Sequence, residues 1–164
     1  MLLDDALRAV DIVRRYEGAI VDVGSGGGSP GIPLAVSLPE REVVLLESER
    51  RKCDFLDRWA PPNARVVWGR AEEQEPDVYG VALAKALAQS ATALEWCLPL
   101  ARPGGAAVLW LGPTADLAAL ARVSAQLGGG EPEDHDGLTV VPKLTATPPG
   151  FPRRTGVAQK RPLS

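Results

Sequence analysis

The sequence is poor in the residues that build metal centres and covalent staples. It has two cysteines, Cys53 and Cys97, and a single histidine, His135, in 164 residues. Two cysteines make neither a disulfide framework nor a zinc site, and one imidazole leaves too few ligands for a transition metal. The expected setting is a reducing cytoplasm, with no metal. No run of about 18 apolar residues occurs, so no membrane span is expected. The N-terminus mixes Asp4 and Asp5 with Arg8, Arg14 and Arg15, a charge order foreign to signal peptides.

Acid is absent from Leu138 to Ser164, where five bases stand: Lys143, Arg153, Arg154, Lys160 and Arg161. The rest of the chain holds 13 of the 18 bases and all 21 acids. An acidic body with a basic tail suits contact with a polyanion at one edge. A tail that is only solvated is the competing explanation.

Apolar residues make up 45% and charged residues 24%, as in ordinary globular proteins. The length predicts one domain over residues 1–164, ending in a basic, proline-rich tail over 145–164. Leu3, Ala6, Leu7, Val10 and Val13 fall at helical spacing within residues 2–16. Strands are predicted at 19–23, 43–46, 65–68, 79–83, 106–111 and 138–141. Helices are predicted at 30–38, from Ser48 as cap through Cys53, Leu56 and Trp59, along Leu87–Leu98, and at 113–127. The turn-rich acidic stretch 128–137 reads as a loop, and the prolines after 148 argue against a regular element. Five alternations of strand and helix predict an α/β fold. Its sheet is open, mostly parallel and doubly wound, with the last strand antiparallel. Ligands of such sheets bind beyond the strands' carboxyl ends, at the switch point.

The first strand runs into Asp22-Val-Gly24-Ser-Gly26-Gly-Gly28-Ser29-Pro30-Gly31. A dinucleotide fingerprint fits poorly, because Pro30 lacks the N–H that a pyrophosphate needs at the helix start. A nicotinamide-dependent oxidoreductase is therefore a weak reading. The pattern matches better the nucleoside-type loop of class I methyltransferases, with an acid two residues before the first glycine. Their cofactor, S-adenosylmethionine, carries a sulfonium, which a carboxylate such as Asp22 would complement. Gly24 and Gly26 would pass beneath the ligand. Glu47, ending the second strand, is placed to accept from ribose hydroxyls. Ala71 and Glu72, after the third strand, would flank an adenine. The four tryptophans, Trp59, Trp68, Trp96 and Trp110, read as core or rim.

The runs VDVGSGGGSPGIPLAV, VVLLESERRKCDFL, GRAEE and LEWCLPLARPGG, with the ending PPGFPRRTGVAQKRPL, resemble the bacterial RsmG (GidB) family. The resemblance covers roughly residues 3 to 164. It implies a Rossmann-like class I methyltransferase that uses S-adenosylmethionine to methylate guanine N7 in small-subunit ribosomal RNA. It implies cofactor contacts at Asp22, Gly24, Gly26, Ser29, Glu47, Ala71, Glu72 and Lys85, with Lys85 the candidate for a catalytic part. Lys143, Arg153, Arg154, Lys160 and Arg161 are the candidate RNA contacts. The partner would be ribosomal RNA or the small subunit, met by a cytoplasmic monomer. The chain departs from the family pattern at Ser29, where a large apolar residue is usual. It also has Lys85 in place of an arginine and Leu111-Gly112 in place of Lys-Gly. Typical members carry some tens of further N-terminal residues, and the stretch 128–136 looks too short for their sixth strand. The alternative is a non-catalytic relative that binds S-adenosylmethionine and has lost turnover.

Overall fold

The computed structural model describes residues 2–85 and 87–164. Seven strands form one sheet: β1 (Ile20–Val23), β2 (Val43–Glu47), β3 (Ala64–Trp68), β4 (Tyr79–Lys85), β5 (Ala101–Trp110), β6 (Glu133–His135) and β7 (Leu138–Pro142), in the order β3-β2-β1-β4-β5-β7-β6. The first five are parallel. β7 runs antiparallel to β5, and β6 antiparallel to β7. The order reverses beside β1, which is flanked by β2 and β4. That is the predicted fold, with one strand more than predicted. β6 lies inside the stretch read as a loop. Its Glu-Asp-His sequence has no apolar alternation to betray it, and backbone pairing to β7 alone makes it a strand.

The central strands are buried on both faces, and successive residues feed two cores. Ile20, Val43, Leu45, Val81 and Leu83 pack with Ala9, Ile12, Val13, Leu34 and Leu56. These come from the turn after α1 (Leu2–Leu7) and from α2 (Val10–Val13), α3 (Gly31–Ser37) and α4 (Arg50–Trp59). Val21, Val44, Leu46 and Ala82 face Leu94, Cys97, Leu120 and Val123, from α5 (Ser90–Cys97) and α6 (Leu117–Gln126).

Several local expectations are corrected. The opening helix is two short pieces; Ala6, Ala9, Ile12 and Val13 are buried, whereas Leu3 is exposed. Ser48 is not the cap of α4: Glu49 holds that place, without a side-chain hydrogen bond. Trp59 lies 61% exposed, away from the buried Cys53 and Leu56. Helix α6 starts only at Leu117, where the Asp116 carboxylate accepts the Ala119 N–H at 3.0 Å. β5 begins five residues early and absorbs the Pro103-Gly104-Gly105 turn as a bulge: Tyr79 pairs with Ala101, but Val81 pairs with Ala106.

Candidate functional site

The glycine loop leaves β1 at the switch point and is pinned to the end of β2. Gly24 N–H and Ser25 N–H both donate to the Leu46 carbonyl, at 2.8 and 3.1 Å. Asp22 braces the loop from beneath, its Oδ2 accepting the Gly31 N–H at 2.9 Å. Only glycine allows this approach, since a Cβ on Gly31 would stand 2.6 Å from that oxygen and 2.4 Å from Leu45. Burial pushes the Asp22 carboxyl up to about 7, against the lowering effect of the Gly31 N–H. Asp22 therefore stands behind the loop, outside the cavity in front of it. The carboxylate expected beside a bound cation has one oxygen, Oδ2, taken by the Gly31 N–H.

Glu47 is buried and spans the loop and the start of α4. Its Oε1 accepts the Gly26 N–H at 3.0 Å, and its Oε2 accepts the Glu49 N–H at 2.7 Å. A carboxylate has about four acceptor positions, so each oxygen retains one. In front lies a chamber of about 470 Å3, lined by Gly24, Gly26, Ser29, Glu47, Lys85 and Leu87 among others. The Ser29 hydroxyl is buried there without a partner among the described residues, which is costly unless a ligand or water meets it.

A second, mainly apolar slot of about 90 Å3 adjoins the chamber, between Val23, Gly24, Leu46, Ala71, Glu72, Leu87 and Trp96. Leu87 and Gly24 line both compartments. Gly24 has φ +72°, and a Cβ on it would come 2.2 Å from Leu87 Cδ1. A side chain at Gly24 would thus strike Leu87 before any ligand. Ala71 opens a single 3-10 turn and leaves room in the slot. The two compartments match the parts of an adenosyl amino acid: a narrow slot for a flat ring, a carboxylate for two hydroxyls, and a polar chamber for the tail.

Lys85 ends β4 and lines the chamber. Its Nζ lies 2.7 Å from Asp5 Oδ2, an ion pair with α1. Lys85 first, and Arg8 with it, hold the Asp5 carboxyl below its ordinary value despite burial. The Asp5 carbonyl also accepts the Trp110 indole N–H at 3.3 Å. Asp5 was visible in the sequence only as one acid of a surface helix.

The tail is packed, and its bases divide into two kinds. Lys143 is fully buried and donates to Asp77 (2.8 Å), Thr147 (2.8 Å) and the carbonyls of Leu98 and Ala101. Burial lowers its pKa, and Asp77 offsets part of that. Arg153 grips the buried Glu95 with two nitrogens, both at 2.5 Å. Both residues were expected at RNA phosphates; Lys143 instead meets the part-exposed Asp77, and Arg153 the buried Glu95. Arg154, Lys160 and Arg161 are exposed. The prolines did not prevent a regular element: α7 (Val157–Lys160) forms, with Ala158 buried and its carbonyl accepting the Thr92 hydroxyl. Phe151 packs on the core beside it.

The structure thus gathers Gly24, Gly26, Ser29, Glu47 and Lys85 about one chamber and places Ala71 and Glu72 in the slot beside it. Leu87 and Trp96 were read as parts of a helix stripe and of the core. Their apolar character carries no sign that they face a cavity. His135 sits in β6 at the far edge of the sheet, 3.3 Å from Glu133. Among the described residues no group of three or more His, Cys, Asp or Glu is placed to hold a metal ion. No helix among them is long and apolar enough to cross a membrane.

Comparison with known proteins gives this arrangement its relatives. Residues 1–125 match the family described as GidB, rRNA small subunit methyltransferase G. The ribosomal RNA small subunit methyltransferase G of Pelotomaculum thermopropionicum is 37% identical over 181 residues, covering 97% of this chain and 76% of that protein. The protein of the same name from Rubrobacter xylanophilus is 41% identical, covering 91% of this chain and 66% of its own length. Among solved structures, the T. thermophilus 16S rRNA N2 G1207 methyltransferase, in complex with AdoMet and guanosine, superposes with a TM-score of 0.67. It is 18% identical, and the match covers 90% of this chain and 40% of that one. M. jannaschii TYW2 in complex with AdoMet gives 0.64 at 15% identity, covering 85% of this chain and 72% of that one. Sheet order and neighbours together make this the class I methyltransferase fold, and by sequence the chain belongs to the rRNA small subunit methyltransferase G (GidB) family.

Proposed function

We propose that the protein is an S-adenosylmethionine-dependent methyltransferase of small-subunit ribosomal RNA, with guanine N7 as the accepting atom. Family membership supports the substrate class, and the relatives' own names state it. The observation that carries the cofactor reading is Glu47. It is a buried carboxylate, braced by two backbone N–H groups and opening on a chamber that contains an unpartnered hydroxyl. S-adenosylmethionine supplies an electrophilic methyl group when bound. Glu47 holds the ribose, Ala71 and Leu87 sandwich the adenine, and Gly26 with Ser29 meets the amino-acid end.

Guanine N7 is an in-plane lone pair that carries no proton. Its methylation calls for alignment and exclusion of water rather than a general base. The chamber holds no imidazole among its described residues, in keeping with that demand. Lys85, at the mouth, orients the purine or an adjacent phosphate, and Asp5 fixes its ammonium. Residues 1–164 act as one cytoplasmic, monomeric unit without a metal. The exposed Arg154, Lys160 and Arg161 contribute phosphate contacts.

The test pairs binding with transfer. Calorimetry with S-adenosylhomocysteine is expected to show one site per chain. Labelled methyl should then pass to small subunits, at a guanine that becomes cleavable by borohydride and aniline. Binding without transfer would identify the non-catalytic relative instead. Absence of both would remove the cofactor reading.

A further inference from the structure

Helix α4 buries Cys53 and Leu56 against the sheet and turns a second set of residues outward. Arg51, Phe55, Arg58 and Trp59 follow the i, i+4, i+7, i+8 spacing of a single helix face. Phe55 is 47% exposed and Trp59 61%. Their rings stand 6.4 Å apart, tilted by 48°. Arg51 and Arg58 are exposed, and neither forms an ion pair among the described residues. The acids of the helix, Asp54 and Asp57, lie roughly 140° and 160° around the axis from Trp59, whereas Asp54 is within about 60° of Arg51 and Arg58, though with no ion pair to either among the described residues.

Large exposed aromatics are uncommon in a chain with only eight Phe, Trp and Tyr residues. Interleaved with unpaired arginines on an otherwise acidic body, they have the composition of a stacking platform for unpaired nucleic acid: π-faces for bases, guanidinium groups for phosphates. The platform adjoins the site, because Lys52, one turn from Phe55, lines the cofactor chamber.

We propose that this face of α4 binds an unpaired RNA segment beside the target nucleotide, with bases stacking on Phe55 and Trp59 and phosphates meeting Arg51 and Arg58. The inference rests on the reading of the protein as an RNA methyltransferase, and it assigns a contact surface distinct from the basic tail.

The full chain is titrated with a fluorescent unpaired oligoribonucleotide across a salt series, with S-adenosylhomocysteine affinity measured in parallel. Trp59→Ala is expected to weaken RNA binding roughly ten-fold or more at every salt concentration, as for loss of one stacked base. Arg51→Ala with Arg58→Ala should flatten the slope of log affinity against log salt by about 1.4. Removing the same charge at Arg14 and Arg15 should leave the platform's contribution intact. Cofactor affinity should be unchanged in all variants, since none of these residues braces the glycine loop. The proposal is overturned if the Trp59 and Arg51/Arg58 variants, with native cofactor affinity, bind RNA as the parent does. It is also overturned if light scattering shows a parent dimer that Trp59→Ala dissociates, which would give the face to a second copy. A parent that binds S-adenosylhomocysteine but no RNA would sink this proposal and the RNA substrate together. A parent that binds neither would strike the cofactor reading itself.

Discussion

Glu72 receives the indole N–H of Trp96 at 3.0 Å, on the same oxygen that accepts the Gly156 N–H at 3.2 Å. One wall of the apolar slot is therefore held by α5 and by the C-terminal tail together. The residue before Trp96 is Glu95, whose carboxylate carries Arg153. Consecutive residues of one helix thus anchor the tail and the slot, and docking of the tail is coupled to the cofactor site.

That coupling predicts the behaviour of Arg153→Ala. Glu95 would remain buried without its counter-charge, so stability should fall by about 3 kcal/mol, the low end for a broken buried pair because Arg153 is partly in water. Adding Glu95→Gln should recover part of the loss in urea unfolding. Affinity for S-adenosylhomocysteine should stay reduced in the double variant, because Gly156 no longer pins Glu72. Full recovery of affinity would mean that the tail and the slot are independent.

Gly24→Ala meets two obstacles, a backbone at φ +72° and the Leu87 methyl group. The first costs about 1–3 kcal/mol for a residue other than glycine. The second should yield to Leu87→Ala. Calorimetry is therefore expected to show lost binding in the single variant and partial rescue in the pair. A single variant that binds normally would show that Leu87 moves aside freely.

Asp22 gives a pH signature. Its folded pKa, about 7, lies above the ordinary carboxyl value of 3.8. Between those values the folded state holds a proton that the unfolded chain has released. Its contribution to stability is therefore full below about pH 4 and is lost as pH rises through 7. Asp22→Asn keeps an acceptor for the Gly31 N–H and removes the titration. Its stability should vary less between pH 4 and 7 than the parent's. Asp22→Ala should instead cost about 1–3 kcal/mol, because a buried N–H loses its partner. Identical pH profiles for parent and Asn variant would place the titration elsewhere.

Lys143→Met should destabilise the protein by about 1–3 kcal/mol, because the buried Leu98 and Ala101 carbonyls lose their donor and the part-exposed Asp77 keeps only Thr147. Burial raises the Asp77 carboxyl, but its Lys143 and Thr147 donors outweigh this and hold it below its ordinary value. The salt dependence of RNA binding should not change. A slope flattened by about 0.7 would return Lys143 to the phosphate contacts.

The sheet was legible because its strands are largely apolar runs ending in punctuation: Ile20–Val23, broken only by Asp22, before glycines, and Val43–Leu46 before Glu47. The loop and the acid after β2 were legible because glycine and carboxylate spacing is a local property. What stayed hidden depends on contacts between distant residues. Lys143 and Arg153 are indistinguishable from surface bases until Asp77 and Glu95, 66 and 58 residues away, come into contact with them. Asp22 looks like a ligand carboxylate until Gly31 is seen folded back onto it. Trp59 fits a buried stripe by spacing, but α4 rests on the edge of the sheet, where β3 leaves its outer side open.

The tail's two interior ion pairs also bear on the order in which the chain is made. Glu95 leaves the ribosome 58 residues ahead of Arg153, roughly 3–12 seconds at ordinary synthesis rates. Asp77 waits longer still for Lys143. Through that interval the growing chain has both carboxylates and neither cation, and Glu95, the buried one, has no counter-charge to be packed against. The segment that follows β7 supplies both cations and the Gly156 contact to Glu72, so that wall of the slot cannot be finished until this segment has been made.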